Sequence, residues 1–298
     1  MTMLMRAAPA LFVLLWSTGF IGSRLGAADA EPFTFLSIRF LLVIVLLLPV
    51  AFSTGGGKGT NSWPAFGHAA AIGALIHGLY LGGVFWAIHR GMPAGVAALV
   101  VSLQPILTAI LAGPLLGERV TRQHWLGLAL GLAGAALIIL PKIETTPDAA
   151  SGINVETIAA TLIALVGITT GTLYQKRTSA NLGLMRGAVW QYAGALLIVG
   201  IGSLLTETGE VAWTPKFIFA LGWLVIVLSI GAISLLMLLI RQNAVSTVSS
   251  LFFLVPGVTA VMAYLMFGET LSPVQLTGLV LAGLAVLLTS FQKGNFSR

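Results

Sequence analysis

The chain has 298 residues; 57% are hydrophobic and 8% charged, with 15 Lys and Arg against 9 Asp and Glu. An average soluble domain is roughly 25% charged, and a globule of this size cannot cover its surface with so little charge. This excludes a cytosolic enzyme, a nucleic-acid-binding domain and a disordered chain. The absence of cysteine excludes disulfides, cysteine-ligated metals and cysteine nucleophiles. The composition describes an all-α integral membrane protein built almost entirely of its spans.

A helix needs about 20 apolar residues to cross the hydrocarbon core. In chain order, the runs of that kind are 7–27, 33–53, 66–89, 93–114, 123–140, 155–175, 186–206, 216–240, 244–267 and 273–291. They are continuous rather than alternating, which excludes an outer-membrane barrel. The first is too long for a removable signal peptide and lacks a small-residue cleavage site. Ten basic residues fall in the segments on the N-terminal side of the membrane and four on the other, with Arg39 left inside the second run. Positive charge accumulates on the cytoplasmic side, so both termini are expected there.

Several runs carry residues that lipid would not favour. Trp16 and Thr18 lie in the first. Arg39 lies in the second, where a charge near a span's centre costs about 2.5–3.5 kcal/mol on insertion scales. Arg39 must therefore meet a wet cavity, a substrate carboxylate, helix-end carbonyls or a loop acid such as Asp29 or Glu31. The third run places His77, Tyr80 and Trp86 close to one helical face. Gln104 stands beside Pro105 in the fourth, and Trp190 and Gln191 lie in the seventh. A mostly apolar pocket with a few placed polar groups suits an amphiphilic metabolite, and these nine residues are its candidate lining. Every Asp and Glu lies at or near a membrane face, which argues against a buried carboxylate proton relay. No H-E-x-x-H, G-x-S-x-G or P-loop occurs. The chain is therefore expected to be no enzyme, to hold no metal or cofactor, and to bind no nucleic acid.

The chain also matches itself at an offset of 151. Arg90 falls on Arg241, Pro105 on Pro256, Gly117-Glu118 on Gly268-Glu269, Thr121 on Ser272 and Gly127 on Gly278. Earlier segments align near 151–152, with Thr18 on Thr169 and Arg39 on Gln191. The expected domains are thus 1–145 and 146–298, each with five spans. Five is odd, so the second repeat enters the membrane inverted, the construction of alternating-access transporters with a midplane site. Pro105 and Pro256 are expected to kink their helices. Gly127/Gly131/Ala135 and Gly278/Ala282 are small-residue rows for close contact within the chain or in a homodimer. Arg90 and Arg241 read as interfacial anchors.

The span count, the two copies of P-x-x-x-A-x-x-x-x-x-x-x-G-E and the WSTGF of residues 16–20 resemble the drug/metabolite transporter superfamily, and within it the EamA-type exporters. Overall similarity is greatest to bacterial exporters of aromatic and other neutral amino acids. The resemblance implies a multi-pass protein of the bacterial inner membrane that exports a small molecule by alternating access without ATP. Drug-like, purine or nucleotide-sugar cargo is the alternative, and a membrane-embedded enzyme a weaker one. It also implies that Glu118 and Glu269 brace the turns 117–122 and 268–272.

Overall fold

A computed structural model of the protein describes residues 3–26, 29–53, 62–144, 152–178, 184–268 and 271–290. Among these the chain is helical, and the sole extended pairing is an isolated bridge between Ala30 and Val211. The helical segments follow the apolar runs. They are α1 (Met3–Gly26), α2 (Pro32–Ser53), α3 (Trp63–His89), α4 (Ala94–Val101 and Gln104–Leu116), α5 (Arg122–Glu144), α6 (Val155–Thr178) and α7 (Leu184–Thr206). After them come α8 (Pro215–Gln242), α9 (Val245–Ser250, Leu251–Leu254 and Val255–Phe267) and α10 (Pro273–Ser290). Eight of these are long and apolar enough to cross a bilayer; in α1 and α10 the apolar stretches are shorter, Ala7–Gly19 and Pro273–Thr289. Eight full-length spans plus two shorter helices thus stand against the ten spans expected.

The burial pattern is that of a protein dissolved in lipid. α2 turns Leu41, Val45 and Leu46 outward and buries Arg39 and Phe40. Small residues set the closest approaches. A Cβ on Gly134 would lie 2.7 Å from the Gly278 carbonyl oxygen, and one on Gly127 would meet Thr289 and Ala285. Gly127 of one row and Gly278 of the other, with Gly134, therefore set the close contact of α5 with α10, while Gly131 makes room for the Phe253 ring of α9.

Residues 151 apart adopt the same local structure. Gly117 and Gly268 end α4 and α9 at φ 71° and 69°, the left-handed cap that glycine adopts without strain. Thr121 and Ser272 sit at helix starts: Thr121 Oγ1 accepts from the His124 amide at 3.3 Å. Ser272 and Gln275 exchange side-chain bonds at 3.2 and 3.0 Å, a capping box. Pro105 and Pro256 are each in the first turn of a fresh helical segment, after a break at Ser102-Leu103 in α4 and a 3₁₀ turn at Leu251–Leu254 in α9. The expected kink is thus an interruption placed just before the ring, because proline's missing N–H is harmless in a first turn. α3 and α8 widen into π-helical stretches at Ala74–Leu79 and Leu224–Ala232.

α2 packs along α7, α4 against α9, and α5 along α10; α3 touches α6 and α7, as α8 touches α1 and α2. Each pairing keeps its form when α1–α5 are exchanged for α6–α10.

Candidate functional site

The two π-helical stretches bring a polar cluster together where α2, α3, α7 and α8 meet. Such bulges rotate side chains out of the regular register and recur at functional sites. Here they carry His77 and Ser229. Arg39, 2% exposed, donates from Nε to Ser229 Oγ at 2.9 Å. Tyr192 donates its hydroxyl to the Ser229 carbonyl at 2.7 Å. The His77 ring stacks on Tyr192 at 4.8 Å and 10°, and Gln191 bonds that ring. Phe40 closes the group, 5.4 Å from Tyr192 and 6.2 Å from His77 between ring centroids, with the Arg39 guanidinium 5.9 Å from its own centroid.

The cluster is buried, and its hydrogen bonding is incomplete. His77 Nε2 has no partner among the described residues. No described carboxylate pairs with Arg39: Asp29 accepts from Thr214 at 3.1 Å, and Glu31 accepts from Thr208 and Gly209. The loop acids considered as partners of Arg39 are thus engaged elsewhere. A buried cation beside three aromatic rings can take a carboxylate on one side and an apolar or aromatic body on the other.

The other predicted lining residues share no hydrogen bond or ring contact with this group among the described residues. Gln104 donates to Thr108 and Ser249, both at 3.1 Å, tying α4 to α9, while its Oε1 is unpartnered among the described residues. Trp16 is buried, edge-to-face with Phe252 and tilted against Phe12. Thr18 donates back to the Leu15 carbonyl at 2.6 Å and accepts from the Trp223 indole at 3.0 Å. Tyr80 is buried in the same apolar core as Phe40 and Tyr192. Trp190 turns to the start of α3 and stacks on Phe66 at 4.9 Å. Trp86 lines an outward-facing groove, its ring under the Arg90 guanidinium at 5.0 Å.

Charged side chains fasten the helix ends. Glu118 accepts from the Val245 and Ser246 amides at 2.7 and 3.3 Å and from the Ser246 hydroxyl at 2.9 Å, so it caps α9 rather than only its own turn. Glu269 lies outside the described residues. Lys176 donates to the carbonyls of Ile240 and Asn243, both at 2.8 Å, closing the end of α8. Glu207 accepts from the Phe33 and Thr34 amides at 2.8 and 2.6 Å at the start of α2, and Arg186 donates to the Ala51 carbonyl at 2.8 Å near its end. Each charge matches the helix dipole it meets.

Sequence reasoning named Tyr192 beside Trp190 and Gln191 in the seventh run but missed Ser229 as a member of the cluster. A signal for Ser229 existed: the offset that pairs Arg39 with Gln191 also pairs His77 with Ser229.

The chain is 28% identical to "Uncharacterized inner membrane transporter YedA" of Escherichia coli (strain K12), over 95% of this chain and 90% of that one. It is 27% identical to "Probable amino-acid metabolite efflux pump" of Salmonella typhimurium (strain LT2), over 95% and 94%. It is 28% identical to "Probable terminal-alkyne amino-acid exporter" of Streptantibioticus cattleyicolor, over 93% and 90%. A solved crystal structure of a protein shares the fold at TM-score 0.78 and 20% identity, covering 96% of both chains. The EamA-like transporter family matches residues 7–140 and, a second time, residues 156–291. With both matches together spanning most of its length, this chain belongs to the EamA-like transporter family.

Proposed function

We propose that the protein is a secondary transporter that exports small amphiphilic metabolites, aromatic and other neutral amino acids first among them. The observation that carries this reading is Arg39: a buried guanidinium with no described carboxylate partner, set among Phe40, Tyr192 and His77. A free amino acid supplies the missing carboxylate, and its side chain fits against the rings. Relatives named "Probable amino-acid metabolite efflux pump" and "Probable terminal-alkyne amino-acid exporter" support a cargo of this class.

The mechanism proposed is alternating access between halves 1–145 and 146–298, each of five spans and oppositely oriented in the inner membrane, with both termini cytoplasmic. The exchange-symmetric helix pairing and the twin family matches support it. Two inverted copies can swap shapes, which turns an inward-open site outward.

Purified protein in liposomes should carry labelled phenylalanine or tyrosine with saturation, and Arg39→Ala should lose that flux. Flux equal to that of empty liposomes across an amino-acid panel would reject the proposal. Stronger competition by purines or nucleotide sugars would move the cargo to that class. The cysteine-free chain allows a direct test of inversion. Arg119→Cys and Ser272→Cys should react with an impermeant thiol reagent from opposite faces, and labelling from one face would overturn the arrangement.

A further inference from the structure

An outward-facing groove of about 350 Å³ runs between α3 and α6, and no residue of the Arg39 cluster lines it. Its sides are apolar, and two of its wall residues, Ile163 and Ile198, are among the exposed apolar residues that face lipid in a spanning helix. Its mouth is different. Glu156, in the first turn of α6, lines the groove, and so does Trp86, over whose ring the Arg90 guanidinium lies at 5.0 Å. The ends of α3 and α6 meet there, where Gly91 and Gly152 make a close backbone approach. Neither Arg90 nor Glu156 has an ion-pair partner among the described residues. One end of an apolar trough therefore offers a cation and an anion together, at the level where a tryptophan marks the interface between hydrocarbon and headgroups.

We propose that this groove is a binding site for a phosphatidylethanolamine molecule. One acyl chain lies in the trough, the phosphate meets Arg90, and the primary ammonium donates to Glu156. The charge pattern selects the headgroup. Phosphatidylglycerol has no cation for Glu156, and the quaternary ammonium of phosphatidylcholine has no N–H to donate.

The test is native mass spectrometry of the purified full chain in detergent, titrated separately with the dioleoyl forms of these three lipids. The wild-type protein should retain one phosphatidylethanolamine under conditions that strip the other two. Glu156→Gln should lower its retention about tenfold, to the level of phosphatidylcholine, the scale of a lost charge-assisted hydrogen bond. Ala159 is an exposed wall residue, so Ala159→Phe fills the trough without entering the core. It should lower retention of every lipid about tenfold, as several methylenes lose their contact. Unchanged far-UV circular dichroism keeps the variants comparable. Equal retention of the three lipids by the wild type, or no effect of Ala159→Phe, would overturn the proposal. A dimer that Ala159→Phe dissociates would do the same, since the groove would then be a contact between copies.

Discussion

Arg39 and Ser229 are joined at 2.9 Å across α2 and α8, and this bond has a twin. Gln191 and His77 are joined across α7 and α3. Gln191 stands 152 positions after Arg39, and Ser229 stands 152 after His77. The two contacts are one contact written in each half of the chain. The halves differ in charge, because the arginine of one is the glutamine of the other.

Arg39→Ala should lower transport by a factor of about 10–100, since a hydrogen bond to a charged group contributes about 1.5–3 kcal/mol. Arg39→Gln would make the halves alike and should lose the same factor if charge recognises the cargo. Flux assays on both variants decide, and wild-type flux from Arg39→Gln would show that shape alone is sufficient.

Trp190→Ala should act on stability and leave flux within about twofold. Its ring stacks on Phe66, a pair worth roughly 0.5–1.5 kcal/mol beyond its area. A denaturant titration alongside the flux assay separates the two effects. A large loss of flux at unchanged stability would place Trp190 on the pathway.

Glu118→Ala removes three hydrogen bonds at the start of α9. The loss should be about 1–2 kcal/mol of stability, the range for a removed helix cap. Amide exchange should rise first at Val245 and Ser246, ahead of the rest of the helix.

Gly278→Leu should cost more. A side chain there has the Gly134 carbonyl oxygen 2.7 Å from its Cβ, with Ile138 at 2.9 Å. Overpacking of a tight core typically costs about 1–3 kcal/mol, and here it drives apart backbones rather than flexible side chains. The variant should melt earlier in detergent, whereas Gly283→Leu, with no atom near, should not.

Acid should loosen the loop after α7. The Thr208 hydroxyl bonds the Glu31 carboxylate, and the Thr208 and Gly209 amides add to it, holding its pKa below the ordinary value of 4.5. A carboxylate with a lowered folded pKa contributes stability that is complete above the unfolded value and is lost as pH falls through the folded one. Protection of the Thr208 and Gly209 amides, corrected for intrinsic rates, should therefore drop below pH 4.5. Glu31→Gln should show weak protection at every pH.

Much of the helix inventory was legible, because twenty apolar residues in a row have few other uses. The turns at 117–122 and 268–272 were legible too, since glycine and a hydroxyl residue announce a left-handed cap and a helix start. The cluster was half legible. Arg39, His77 and Gln191 stand out as polar residues inside apolar runs. Ser229 does not, since small hydroxyls are ordinary in spanning helices. The surroundings of Trp86 and Trp190 were not legible for a physical reason: in lipid both faces of a helix are apolar, so periodicity no longer tells inside from outside. The π-helical stretches, which set where His77 and Ser229 point, leave no mark in composition.

The grip of α7 on α2 has a consequence for the membrane around it. Glu207 holds one end of α2 and Arg186 holds near the other, so the two helices are matched in length like the rails of a ladder. Each residue added to one rail would shift a rung by about 1.5 Å and release it. A bilayer that thins or thickens cannot be met by tilting either rail alone. The pair sets a fixed gauge, and accommodation falls to the remaining helices, of which α1 and α10 carry the shorter apolar stretches.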